Sequence, residues 1–278
     1  SKLLTNVNEI LINDMLDFSK IDSESTELGH KKFDLRNCIE EVMAILAAKA
    51  AEKHLELLYQ IDQNVPLQIT GDYKRLQQVL INLLENSINA TKEGEVFLSV
   101  HMASGVSEEQ LKIGFTVKDT GSGIPKEKLD NLFKGALPDN YSTKNKQVTN
   151  GFGLVICKRL VEQMGGEIKQ ENLPGQGSSF MFTILTTSAG TSTDDYSGNR
   201  MLGIEGKQIL IIDDNATSST VLNKQLEQWK LLPVLASSGE HAMEILSQGS
   251  VDLIITDLSM PGTNGVDLSL QIRTAYPK

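Results

Sequence analysis

Asn82, Asn86 and Asn89 recur at intervals of four and three within DYKRLQQVLINLLENSINATK, residues 72–92. On a helix this spacing puts the three amides on one face, and Arg75, Gln78 and Glu85 extend the same polar seam. The rest of the stretch is apolar, with one line through Leu76, Leu80, Leu83, Ser87 and Ala90 and another through Ile81, Leu84 and Ile88. Such a helix belongs inside a domain, where an unpartnered amide costs about 2–7 kcal/mol. The seam therefore faces water or a polar ligand. Three glycine stretches follow: Asp119-Thr120-Gly121-Ser122-Gly123-Ile124, Gly151-Phe152-Gly153-Leu154 and Gly175-Gln176-Gly177. Glycines ahead of a helix let backbone N–H groups approach a phosphate, and the helix N-terminus favours the anion. Neither the G-x-G-x-x-G spacing nor a glycine-rich loop ending in Lys-Ser/Thr is present. A third group of acids, Asp213, Asp214 and Asp257, sits at the ends of apolar runs. Clustered carboxylates repel one another and call for a cation.

The elements that must position these residues can be read in order. Leu4, Val7, Leu11, Phe18 and Ile21 form a heptad-like seam, expected to be half of a helical hairpin that pairs in a dimer. Residues 31–35 predict a short strand, 36–53 a helix and 55–61 a strand. The central helix is expected over 72–92, with Asp72 as N-cap, Lys92 in its last turn and Gly94 as its stop. Paired strands are expected at 95–102 and 111–118, a helix over 151–164 closed by Gly165-Gly166, and another strand pair at 167–171 and 178–186. Segregated helices and mostly antiparallel strands predict an α/β sandwich. Residues 187–205 read as a linker rich in Ser, Thr, Gly and Asp. Beyond it, strands at 208–212, 232–236 and 251–256 alternate with helices at 216–229 and 240–246. That order predicts a parallel sheet with its acids at the carboxyl ends of the strands.

At 278 residues with 40% hydrophobic composition, the sequence has room for two cores. The net charge of −10 argues against a nucleic-acid surface. Cys38 and Cys157 stand alone in apolar helical settings, as reduced core residues rather than metal or redox pairs. The longest apolar runs are too short to span a membrane.

The order of the motifs over residues 31–186 resembles the ATP-binding domain of sensor histidine kinases, which shares the Bergerat fold with gyrase, Hsp90 and the mismatch-repair ATPases. The run Leu16-Asp17-Phe18-Ser19-Lys20-Ile21 and the run Phe33-Asp34-Leu35 resemble the second dimerisation helix and entry strand of hybrid members. The resemblance implies ATP and Mg²⁺ as cofactors, with Asn86 as the Mg²⁺ ligand. It gives Asp119 the adenine amino group, Gly121 and Gly123 the purine face, and Asn82 and Asn89 the phosphates. Ile124, Phe133, Phe152 and Leu154 belong to the motifs around the nucleotide. Gly151 and Gly153 would lie under the triphosphate, and Lys144 and Lys146 belong to a lid at 135–150. Several positions depart from the family pattern: Asn89-Ala90-Thr91 replaces Lys-Phe-Thr, Ala136 replaces an aromatic, Asn145 an arginine and Thr149 a glycine. Where the hydrolysing relatives carry a water-activating Glu, this sequence has Asn82, which cannot serve as a general base.

From Gly206 onward the sequence resembles the N-terminal part of a response-regulator receiver domain. Asp257 is then the phosphoryl acceptor, Asp213 and Asp214 join it in holding Mg²⁺, and Met260-Pro261 and Gly265 match the loop that follows. The expected organisation is a partial dimerisation hairpin at 1–30, an ATP-binding domain at 31–186, a linker at 187–205 and a partial receiver at 206–278. The expected function is γ-phosphoryl transfer from Mg-ATP to a histidine outside this sequence and on to Asp257. The alternative is a degenerate kinase that binds nucleotide to gate protein contacts; the third, an ATP-hydrolysing clamp, is disfavoured by Asn82. Expected partners are the phosphoacceptor helix of the same parent protein, in a homodimer, and a downstream phosphotransfer protein or response regulator. The expected location is cytoplasmic, with any membrane anchor in parts of the parent outside this sequence.

Overall fold

The computed structural model describes residues 29, 31–103, 110–124, 133, 150–172, 177–189 and 203–276. The heptad seam and hairpin expected within 1–30, the lid before Asn150 with Lys144 and Lys146, and Gly175-Gln176 lie outside the described residues. The chain divides into two compact units, Ser1–Thr191 and Ser192–Lys278.

The first unit runs β1 (Lys31–Asp34), α1 (Leu35–Glu52), β2 (Glu56–Ile61), β3 (Gln68–Gly71), α2 (Tyr73–Ala90), β4 (Glu95–Met102), β5 (Leu111–Asp119), α3 (Asn150–Gln163), β6 (Ile168–Asn172) and β7 (Ser178–Ser188). Its seven strands form a mixed sheet in the order β1-β3-β7-β5-β4-β2, with β6 also paired to β7. Among the described residues of this unit, only the β2–β4 pairing is parallel. Period-two alternation builds the buried face: Val96, Leu98 and Val100 of β4, Ile113, Phe115 and Val117 of β5, and Phe180, Phe182 and Ile184 of β7. Phe115 and Phe182 are register partners, and their rings stack at 4.6 Å.

Helix α1 begins where Asp34 accepts from the Asn37 N–H at 2.9 Å. It buries Leu35, Cys38, Ile39, Val42, Met43, Leu46 and Ala50, while Ile45 on the opposite side is 60% exposed. Helix α2 has Asp72 as its N-cap, as expected, and stops at Ala90, before Lys92. The buried Thr91 turns the chain out, its Oγ1 donating to the Ser87 carbonyl at 2.8 Å. Ala90 is exposed rather than part of the apolar line. Strand β3 was not foreseen, and β7 continues to Ser188. Both cysteines are buried and free. Loss of hydration pushes each thiol up to about 12, with the Glu41 charge adding to the shift at Cys38.

The second unit runs β8 (Gln208–Ile212), α4 (Ala216–Gln228), β9 (Leu232–Ala236), α5 (Gly239–Gln248), β10 (Leu253–Thr256), β11 (Ser259–Met260), β12 (Thr263–Asn264) and α6 (Gly265–Ala275). Strand β8 lies between β10 and β9, all parallel. Its two faces feed separate cores. Leu210 and Ile212 pack with Ala242, Leu246, Leu268 and Ile272, and Ile209 and Ile211 with Leu226 and Leu231. This two-sided burial explains the unbroken apolar run. Val251 and Asp252 fall outside β10, whose Leu253 is 54% exposed, so this strand is less buried than its composition suggests.

Among the described residues, the Ser87 hydroxyl is buried in α2 without a hydrogen-bond partner. Ser87→Ala is expected to stabilise the first unit by ~1 kcal/mol, by removing that polar group and improving helix propensity. Calorimetry would measure it, since the single tryptophan, Trp229, reports on the second unit.

Candidate functional site

Asp119 ends β5 on the same face as Val117, so its carboxylate points into the core end of the sheet and is 5% exposed. A buried carboxylate needs donors. Oδ1 accepts from the Gly121 N–H at 2.9 Å and the Ser178 N–H at 3.2 Å, and Oδ2 accepts from the Ser178 hydroxyl at 2.5 Å. Ser178 is the register partner of Asp119 on β7. Sequence reading missed it; the available signal was a small hydroxyl residue directly after the PGQG turn.

The glycine loop then runs against the end of α2. A Cβ on Gly121 would stand 2.7 Å from the Ala90 carbonyl oxygen and 2.9 Å from Asp119 Oδ1, so only glycine fits without a shift. Gly123 has φ +71, a left-handed conformation that glycine takes at no steric cost. Thr120 fastens the other side, accepting the Glu95 N–H at 2.9 Å. Ile124 and Phe133 pack, half buried, against the main core.

The amides of α2 separate into different surroundings. Asn82 is half-buried beside Gly153 of α3, whose Cβ would lie 3.9 Å from the amide. Asn86 is half-buried one turn on, and Asn89 is exposed. Gly151, Phe152, Gly153 and Leu154 lie in the first turn of α3, with Leu154 buried in the core. Glu85 turns the other way, to α1, where Lys49 Nζ sits 2.5 Å from its carboxylate. Gly153 thus meets α2 at Asn82, Asp119 and Gly121 meet its end at Ala90, and Asn86 lies on the helix between the two contacts. A buried acceptor, a backbone that excludes a Cβ at Gly121 and half-buried amides together offer hydrogen-bonding groups to a polar ligand.

In the second unit the parallel ladder runs on into the acids: the Asp213 N–H donates to the Ala236 carbonyl at 3.0 Å, and the Asp257 N–H to the Ile212 carbonyl at 2.8 Å. One ligand oxygen from each of Asp213, Asp214 and Asp257 lies within 4.8 Å of the others, a span that fits a single divalent cation. Gly265 opens α6 so close to Asp257 that a Cβ would stand 2.0 Å from the Asp257 carbonyl oxygen.

Residues 71–188 match the family described as histidine kinase-, DNA gyrase B- and HSP90-like ATPases, and residues 209–278 match the response regulator receiver domain. Sensor protein GacS of Pseudomonas syringae pv. syringae is 32% identical over 259 residues, covering 93% of this chain and 28% of the relative. Aerobic respiration control sensor protein ArcB of Escherichia coli strain K12 is 28% identical over 269 residues, covering 96% of this chain and 34% of the relative. The chain therefore spans about a third or less of the length of these relatives. Among solved structures, full-length ShkA in complex with AMPPNP superposes with a TM-score of 0.55 at 20% identity, over 95% of this chain and 80% of that one. The Acinetobacter baumannii histidine kinase AdeS superposes with a TM-score of 0.51 at 23% identity, over 68% of this chain and 84% of that one. These two share the fold.

Gly177 has φ +91, and a Cβ there would meet the Asp119 carbonyl oxygen at 1.7 Å. Gly177→Ala is expected to cost about 3 kcal/mol or more, by straining the turn and parting Ser178 from Asp119. Denaturant unfolding would give the loss, and faster amide exchange at Gly121 would locate it.

Proposed function

The chain carries the domain pair of the hybrid sensor histidine kinases, an ATPase domain of histidine kinase type followed by a response regulator receiver segment, and on that premise we propose that it binds Mg-ATP at the α2–α3 site and serves phosphoryl transfer to a protein histidine and on to Asp257. The observation that carries the reading is the buried Asp119 carboxylate beside a loop that excludes any Cβ at Gly121. In this reading Asp119 accepts from the adenine amino group, and the backbone at Gly121 and Gly123 passes the purine. The Asn86 amide oxygen ligates Mg²⁺, which leans on phosphate and water for its remaining ligands. Asn82 and Asn89 face the phosphates, with Gly151, Phe152, Gly153 and Leu154 at the opening of α3 and Lys144 and Lys146 in the lid. Bound Mg-ATP would supply the phosphoryl group, and the protein would contribute positioning and charge stabilisation.

Transfer is favoured over hydrolysis because the carboxylate next to the metal-ligand position, Glu85, is held in an ion pair with Lys49 on the α1 side. The acceptor histidine is assigned to the parent protein outside this sequence. Among the described histidines, His54 sits in a left-handed turn, His101 lies over Gly114 in the sheet, and His241 is on α5 of the second unit. Asp213, Asp214 and Asp257 would hold Mg²⁺ at the receiver, with Asp257 as the phosphoryl acceptor. The proposed partners are the phosphoacceptor helix of the same parent and a downstream phosphotransfer protein or response regulator. Among the described residues no helix is long and apolar enough to cross a membrane. A second reading, nucleotide binding that regulates protein contacts without turnover, is favoured by Asn89, which leaves a neutral amide exposed at the end of α2.

Titration calorimetry with a non-hydrolysable ATP analogue is expected to show Mg²⁺-dependent binding that is lost in Asn86→Ala and weakened about tenfold or more in Asp119→Asn, the scale of one to two lost hydrogen bonds to a charged or buried group. Unchanged affinity in both variants would remove the site assignment. Incubation with labelled ATP is expected to leave no acid-labile, base-stable phosphate on this chain; such a label mapped to His30, His54 or either of the other two histidines would reverse the assignment of the acceptor.

A further inference from the structure

Helix α1 ends at Glu52, and Lys53 is its C-cap. His54 follows with φ 55, a left-handed turn uncommon outside glycine. That turn brings the Lys53 side chain to the last turn of α2. Its ammonium donates to the carbonyl of Ile88 at 2.6 Å, of Asn89 at 3.1 Å and of Thr91 at 2.9 Å. An ammonium has three donors, and all three are used. Carbonyls at a helix C-terminus lack intrahelical partners and carry the negative end of the helix dipole, so a cation is well matched to them.

The three carbonyls bracket a fourth, that of Ala90. It is the Ala90 oxygen that lies where a Cβ on Gly121 would stand, 2.7 Å away. The end of α2 is thus the surface on which the glycine loop rests. The strand after Lys53 continues the attachment, since the Glu56 N–H donates to the Gly94 carbonyl at 3.0 Å. Thr120 N–H donates to the Glu95 carbonyl at 3.1 Å, which closes the path back to the loop. Lys53 is therefore linked to Asn86 through α2, whose last carbonyls it binds, and to Gly121 through the carbonyl it flanks.

We propose that Lys53 is a positioning residue for the nucleotide site: by holding the last turn of α2, it keeps the metal-binding amide and the purine loop in register. This rests on the nucleotide reading above. Lys53 touches neither base nor phosphate in this account and acts through the backbone of α2.

The test compares Lys53→Met, Lys53→Arg and the control Glu41→Ala in the full chain. The control removes the bonds from Tyr73 and Gln77 to Glu41, another α1–α2 contact, without touching the helix end. The first readout needs no ligand. Amide exchange at Thr91 and Gly121 in the nucleotide-free chain should rise tenfold or more in Lys53→Met and stay unchanged in Glu41→Ala. The second is affinity for the non-hydrolysable Mg-ATP analogue, expected to fall about tenfold in Lys53→Met, to recover to within threefold in Lys53→Arg and to hold in Glu41→Ala. Faster exchange with unchanged affinity would make Lys53 a plain cap of the helix end and overturn the proposal. Equal loss of affinity in Glu41→Ala would reduce it to general stability and overturn it as well. A wild-type chain that binds no nucleotide would overturn the site reading itself, an outcome distinct from a wild type and a Lys53→Met variant that bind alike.

Discussion

A carboxylate out of water must have its oxygens occupied, and the end of the first unit is built around meeting that demand at Asp119. Burying an ionised group without partners costs several kcal/mol (~3–5 when one partner of a buried pair is lost). Here three donors come from two places: Gly121, two residues on, and Ser178, across the sheet. The β5–β7 ladder must then run to its final rung, where Asp119 faces Ser178. Gly177 must take a conformation closed to other residues so that the chain enters that rung. The loop after Asp119 must fold back at once to return the Gly121 N–H, which drives it onto the Ala90 carbonyl. One buried charge thus sets a sheet register, a turn and a helix–loop contact.

The second unit handles acids in the opposite way. Asp213, Asp214 and Asp257 share a space in which one oxygen of each lies within 4.8 Å of the others. Local N–H groups answer only part of their charge: Asn215 N–H donates to Asp213 at 2.8 Å, and Leu258 and Ser259 N–H groups to Asp257 at 2.7 and 3.3 Å. Neutral donors suffice for one carboxylate in a closed pocket. Three together at the open end of a parallel sheet suit a cation instead. The two units therefore offer two kinds of polar site, one with a single buried carboxylate met by neutral donors and the other with three acids within reach of one cation.

How much of this was legible in the sequence depends on how far each signal reaches along the chain. Helix α2 and strands β4 and β5 were legible because apolar periodicity repeats several times within each. The end of α2 was not. Lys92 and Gly94 suggested a later stop, but the Thr91 hydroxyl turns back to Ser87 and Lys53, more than thirty positions away, takes the final carbonyls. Strand β3 has four residues and only Ile69 fully buried, too little to show a period. The two-residue strands β11 and β12 carry no period at all. Asp119 and its glycines were visible as a cluster, whereas Ser178 became visible only through strand register. Gly265 matched a motif, but its reason, the approach to the Asp257 carbonyl, exists only in three dimensions.

Helix α2 also separates its polar residues by neighbour, which bears on the chemistry proposed. The seam looked like one stripe, yet a three-residue step turns the helix through about 300°, so Glu85 stands about 60° from Asn82. That rotation is enough to give the two residues to different helices. Asn82 meets Gly153 of α3, and Glu85 meets Lys49 of α1. The α3 side carries the amides and, at the start of α2, Arg75, whose guanidinium donates to Gln163 at 2.9 Å; amides can ligate and donate but cannot take a proton from water. The α1 side carries Lys49 and Lys53, whose observed bonds run to Glu85 and to the helix end. In the proposed reading, a helix so divided would present nucleotide to an outside acceptor while keeping its own carboxylate engaged with Lys49, which is the physical ground for proposing transfer rather than hydrolysis.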